Sequence, residues 1–171
     1  MKFNLPRTLC LSSVLLCQHG LASTPPSLMH VTSDKLSVQV DQNTASYQGD
    51  VVATHMNRTL NSNRLVILQG KNNMVKQATA YGSPAVSTVK PLPGSKQPES
   101  VGKANQIIYF PAEHDLRYYQ HAVLTRDGNV FKGEVINYNT ETNVATSPST
   151  QAHPTTITIP PYNETHHDAS S

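Results

Sequence analysis

The amino-acid sequence predicts an all-β, antiparallel fold: a sheet folded over on itself, or a sandwich, with one apolar face turned to a shared interior. Three observations lead there. Apolar residues recur at spacing two through most of the chain, and no stretch shows a convincing helical period. Turn-forming clusters interrupt these runs at short intervals. The chain also resembles itself at an offset of 71 residues. Segment 33–67 laid on 104–138 pairs Leu36 with Ile107, Tyr47 with Tyr118, Val52 with Val123, Thr54 with Thr125, Leu60 with Phe131, Leu65 with Ile136 and Ile67 with Tyr138. Few of these pairs are identities, so what repeats is the parity of apolar positions, as a repeated strand-turn-strand unit requires.

Each strand follows from this pattern. Residues 36–40 alternate Leu36, Val38 and Val40 with polar neighbours and stop at Asp41-Gln42-Asn43. Residues 45–54 carry Ala45, Tyr47 and Val51. Asn61-Ser62-Asn63 reads as a turn before 64–69, which carries Leu65 and Ile67 and ends at Gly70-Lys71-Asn72-Asn73. Strands 74–81 and 85–90 are separated by Gly82-Ser83-Pro84. The segment 90–102, with Pro91, Pro93, Gly94 and Pro98, is a loop between the repeat halves. Residues 104–110 carry Ile107 and Tyr109 up to Pro111-Ala112-Glu113, and 116–125 carry Leu116, Tyr118, Ala122 and Leu124. Asp127-Gly128 is the strongest hairpin signal, since both residues tolerate the positive φ of a type I′ turn. Strands 129–132, with Phe131, and 134–138, with Ile136 and Tyr138, complete the core. The alternate positions, including Lys35, Gln39, Ser46, Gln48, Asp50, Arg117 and Asn137, are polar, which describes a sheet wet on one side and dry on the other.

The ends are different in kind. Residues 1–22 read as a secretory signal peptide: Lys2 and Arg7 precede a short apolar run, and Gly20-Leu21-Ala22 supplies the cleavage site. Cys10 and Cys17 both lie in that segment, so the mature chain is not a disulfide scaffold. Loss of Lys2 and Arg7 leaves eleven basic and eleven acidic residues, with no basic stripe that would argue for nucleic acid. A core domain is expected over 23–146. Residues 147–171, rich in Pro, Ser, Thr and His, read as a mostly disordered tail in which Thr156-Ile157-Thr158-Ile159 becomes an edge strand when a partner is present.

Chemistry is sparse. His30, His55, His114, His121, His153, His166 and His167 show no helical metal-ligand spacing, so no metal and no cofactor is expected. No nucleophile elbow or carboxylate pair points to catalysis, and the chain reads as a non-enzyme. Lys35, Arg64, Lys76, Lys103, Arg117 and Lys132 read as solvated faces or, alternatively, as phosphate contacts at a groove rim. Small residues such as Ala78, Ala80, Ala85 and Ala122 among the apolar positions suggest an interior left partly empty.

Tyr47-Gln48-Gly49-Asp50-Val51, Leu60 to Ile67, Ala78 to Ala85, Gly102 to Tyr109, Ala122-Val123-Leu124 and Gly133 to Tyr138, taken in order over about residues 33 to 146, resemble the LptA/OstA family of periplasmic lipopolysaccharide-bridge proteins. The resemblance implies a β-jellyroll shaped like a folded taco, open at both ends, with lipid A acyl chains held between two sheets. It implies an LptC-like inner-membrane partner, an LptD-like outer-membrane translocon and head-to-tail self-association. In that reading the inward register of Leu36, Val38, Tyr47, Val51, Leu65, Ile67, Ile107, Tyr109, Tyr118, Leu124, Phe131, Ile136 and Tyr138 contacts lipid. An exported β-sandwich that binds polysaccharide or protein is the alternative.

Overall fold

A computed structural model describes residues 28–161, apart from 97 and 150, as an antiparallel sheet of ten strands. The strands are β1 (Met29–Thr32), β2 (Lys35–Gln39), β3 (Thr44–His55), β4 (Arg58–Gln69), β5 (Val75–Val89), β6 (Ser100–Phe110), β7 (Asp115–Arg126), β8 (Asn129–Asn139), β9 (Val144–Thr146) and β10 (Thr156–Thr158). Neighbours in sequence are neighbours in the sheet from β3 to β8. At one edge β1 and β2 both pair with β3, and at the other β9 and β10 both pair with β8. The sheet is not closed.

Every long strand is interrupted near its middle. The register shifts between Gln48 and Val51, between Asn61 and Arg64, between Tyr81 and Ala85, between Lys103 and Gln106, and between Tyr119 and Ala122. Bulges bend a strand and increase its twist, and bulges aligned across adjacent strands make a crease. The residues there accept the bend: Gly49, Asp50, Gln120 and His121 all have positive φ. One layer contains β2, β9 and the halves of the long strands on one side of the crease. The other contains β1, β10 and the remaining halves.

The 71-residue offset is present in three dimensions. It lays Thr44 to His55 of β3 on Asp115 to Arg126 of β7, β4 on β8, and the bulge after Gln48 on the bulge after Tyr119. It also lays β1 and β2 on the two halves of β6, so the break at Ser33-Asp34 is the counterpart of the β6 bulge. Asp127 and Gly128 have φ values of 49° and 73°, as a type I′ hairpin requires.

Several expected boundaries are corrected. Asn61-Ser62-Asn63 and Gly82-Ser83-Pro84 are bulges within continuous strands, not turns. Likewise 129–132 and 134–138 are one strand, β8. The loop after β5 ends earlier than expected, because β6 begins at Ser100. β1 and β9 are strands that the alternation did not suggest. The Thr156-Ile157-Thr158 strand needs no partner molecule: it pairs with Val130 to Lys132 of its own chain, so the segment after 146 is not wholly outside the sheet. The signal-peptide reading of 1–22 and the last ten residues, with His166 and His167, lie outside the described residues.

Candidate functional site: the interior between the layers

Strand pairing aligns the inward residues into rows that cross the whole sheet, because directly opposed residues share a face. In the first layer one row runs Leu36, Tyr47, Leu65, Ala80, Ile107, Tyr118 and Ile136. Nearer the mouth, on the side away from the crease, a second runs Val38, Ala45, Ile67, Ala78, Tyr109, Leu116, Tyr138 and Ala145. In the second layer the facing row runs Val31, Ala53, Leu60, Ser87, Gly102, Leu124, Phe131 and Ile157.

These rows bring twelve of the thirteen sequence-predicted residues onto one inner surface, and the thirteenth, Val51, lies opposite Ser62 at the crease; their exposures differ. Val51, Leu65, Ile67, Ile107, Tyr109, Tyr118, Leu124, Ile136 and Tyr138 are buried, and Tyr47 and Phe131 pack half-buried against them. Leu36 and Val38 hold the inward register but lie at the β2 edge, where no further strand covers them, and are 58% and 59% exposed. Ile107 is buried while its neighbour Ile108 is only half-buried, so the register is the one the alternation predicts.

Where the layers are closest, the fit depends on particular residues. The Tyr118 hydroxyl crosses from the first layer to the Ser87 hydroxyl of the second at 2.8 Å. Its ring lies over Gly102, where an added Cβ would stand 2.2 Å from the ring, so only glycine fits. Burial pushes the Tyr118 phenol above its ordinary range, partly opposed by the Ser87 hydrogen bond, so it stays neutral. At the crease the buried inward residues include Ala85, Ala104 and Ala122. Their smallness serves the close approach of the layers, a different origin from the empty interior that the sequence suggested.

Openings lie at the periphery. One apolar recess, at the mouth, is lined by Leu60, Val89, Tyr109 and Leu116 with Arg58 at its rim. Another, of about 230 Å³, lies at the β9–β10 end and is lined by Phe131, Ile136, Ala145 and Ile157. The inward rows therefore reach solvent at both ends of the sheet, through Leu36 and Val38 at one end and Ile157 at the other.

Two inward cations escaped the sequence reading. Arg58 donates to the Tyr109 hydroxyl at 2.6 Å and to Thr140 Oγ1 at 2.8 Å, and Arg126 donates to the Tyr138 hydroxyl at 3.1 Å. Their signal was present, since Arg58 shares the parity of Leu60 and Arg126 that of Leu124. Of the basic residues singled out earlier, Lys35, Arg64, Lys103, Arg117 and Lys132 alternate with inward residues and so face outward, and Arg117 pairs there with Asp115 at 2.7 Å. Among the described residues no three His, Cys, Asp or Glu side chains gather as metal ligands, and no helix is long and apolar enough to cross a membrane.

Residues 30–144 match the family described as LptA/(LptD N-terminal domain) LPS transport protein. The chain is similar to the lipopolysaccharide export system protein LptH of Pseudomonas aeruginosa, 30% identical over 122 residues that cover 71% of this chain and 69% of that protein. The crystal structure of LptH, described as the LptA homologous periplasmic component of the lipopolysaccharide transport device of that organism, superposes with a TM-score of 0.69. That match has 28% sequence identity and covers 78% of this chain and 96% of the other.

Proposed function

Because the chain belongs to the LptA/LptD N-terminal-domain family of lipopolysaccharide transport proteins, we propose that it binds lipopolysaccharide in the periplasm and bridges the inner and outer membranes during outer-membrane assembly, with lipid A acyl chains between its two layers. The observation that carries this reading is the continuity of the inward rows, which cross seven or eight strands and reach solvent at both ends. An ordinary sandwich core is sealed at its edges, whereas here the apolar face stays exposed at both. Burial of an acyl chain contributes about 0.8 kcal/mol per CH₂. Many methylenes in one closed site would hold the lipid too tightly for onward transfer. Successive sites of similar affinity, open at their ends, let it move on.

The chain does this by binding rather than by catalysis. Its export rests on the signal peptide at 1–22, and its neighbours in the bridge are an LptC-like inner-membrane protein and an LptD-like translocon. The test is a photoreactive side chain placed at Tyr47 or Phe131, half-buried on the inward rows, and at Gln39 or Lys103, which are exposed. Lipopolysaccharide adducts are expected at the first two positions in cells and not at the second two. No adduct at either inward position would remove the reading.

A further inference from the structure

At the mouth of the fold, opposite the crease, two guanidinium groups tie the layers together. Arg58 opens β4 and Arg126 ends β7, and both lie on the outermost inward row of the second layer, which runs Arg58, Val89, Ser100 and Arg126. Three strand spacings separate them, about 14 Å. Each reaches across to the first layer: Arg58 to the Tyr109 hydroxyl and to Thr140, Arg126 to the Tyr138 hydroxyl and, at 3.5 Å, to the Asn143 carbonyl. Arg58 also sits 5.4 Å from the centroid of the Tyr109 ring.

The partners are neutral although the donors are charged. Neither arginine meets a carboxylate within ion-pair distance among the described residues, whereas Arg117, on the outer face, has two acidic partners. The Nε–H of Arg58 is buried with no acceptor among the described residues. A guanidinium held by phenol and hydroxyl oxygens gains less than one paired with an oxyanion, whose charge-assisted, bidentate bonds are roughly twice as strong. The site therefore has cationic donors in excess of its acceptors, at the rim of an apolar recess. An amphiphile with apolar chains and anionic head-group oxygens matches both halves of that description.

We propose that Arg58 and Arg126 form a two-point latch whose tyrosine bonds are exchanged for phosphate-type oxyanions of the ligand head group, so that the lipid's own charge releases the mouth for its acyl chains. The inference rests on the lipid-carrying reading above. A disaccharide phosphorylated at both ends presents two such groups at a spacing the arginines can serve. The unfilled Nε–H of Arg58 gains its acceptor in the same step.

Both native cysteines precede residue 22, so the mature chain carrying Met56→Cys and Glu141→Cys, two exposed sites flanking the Arg58 latch, accepts a clean pair of spin labels. Diphosphorylated lipid A is expected to lengthen the label distance, while dephosphorylated lipid A binds at least tenfold more weakly and leaves the distance short. Arg58→Gln together with Arg126→Gln should abolish that tenfold preference, and Arg58→Gln alone should reduce it. Tyr109→Phe, which keeps the ring and removes one neutral acceptor while Thr140 still holds Arg58, should keep the preference. Equal binding of both lipids by the native chain, or a tenfold preference that survives in the double variant, overturns the latch and leaves lipid carriage standing. Binding of neither lipid overturns lipid carriage itself. Full opening by inorganic phosphate alone overturns the coupling to lipid and assigns the site to free phosphate.

Discussion

Tyr118 sets the spacing of the two layers in the middle of the molecule, since its hydroxyl bonds to Ser87 and its ring occupies the space over Gly102. Removing that hydroxyl leaves the buried Ser87 hydroxyl without this partner, so Tyr118→Phe should cost about 1–2 kcal/mol at neutral pH. The same variant has an alkaline signature. Burial first, opposed by the Ser87 bond, raises the folded phenol above its unfolded value near 10, so the folded state retains a proton that the unfolded state releases. The stabilisation is complete below about pH 10 and is lost as the pH rises further, with a slope of up to about 1.4 kcal/mol per pH unit. Urea titrations between pH 9 and pH 11 should show the native chain losing stability more steeply than Tyr118→Phe; parallel slopes would mean that Tyr118 ionises as freely folded as unfolded. Tyr118 was legible in the sequence as an inward residue, because parity alone decides which face a strand residue takes. Its contact with Gly102 was not, since Gly102 stood at the end of a Pro-rich loop and parity says nothing about which residues of the opposite layer are met. Arg58 and Arg126 were missed for a related reason: alternation was read through apolar residues only, and a cation on the inward parity counted as noise.

Elements were easier to locate than to delimit. The strand cores were placed correctly, and the hairpin at Asp127-Gly128 followed from turn chemistry. Asn61-Ser62-Asn63 and Gly82-Ser83-Pro84 have the composition of turns because bulges draw on the same residues, those that tolerate positive φ or leave a ladder bond unmade. A local pattern cannot tell a strand that reverses from one that bends. Their common depth in the sheet carries that information, and it exists only once the strands are paired. β10 shows the other limit. It pairs three residues with β8, and Ser147 and Thr155 join their hydroxyls at 2.8 Å beneath it, yet Ile157 remains 52% exposed. Half-burial of one isoleucine is worth about 1 kcal/mol. Deleting residues 150–171 should therefore lower the melting temperature by about 3–5 °C and leave the antiparallel circular-dichroism spectrum unchanged. A loss of cooperative unfolding in that truncation would show instead that β10 completes the core.

At the scale of the molecule the unclosed sheet poses an assembly problem. Its two edges, β1 with β2 and β9 with β10, present backbone groups with no strand partner among the described residues, and β2 adds exposed Leu36 and Val38 to its edge. Strand direction alternates at each step from β2 to β9, so a second copy related by translation places its β2 antiparallel to the first copy's β9. The inward row ending at Ala145 then continues into the neighbour's Val38, and the apolar interiors lie in line. Such a contact is heterologous and does not close, so it extends as an array long enough to span a gap between membranes. Mass by light scattering should rise with concentration for the native chain. Successive strand residues point their N–H groups to opposite sides, so of Ser37→Pro and Val38→Pro one removes a donor of the free edge, and that one should hold the protein monomeric while keeping its fold. A native chain that stays monomeric at all concentrations and crosslinks to neither membrane partner through residues 36–40 or 143–147 would leave these edges without a role in the bridge.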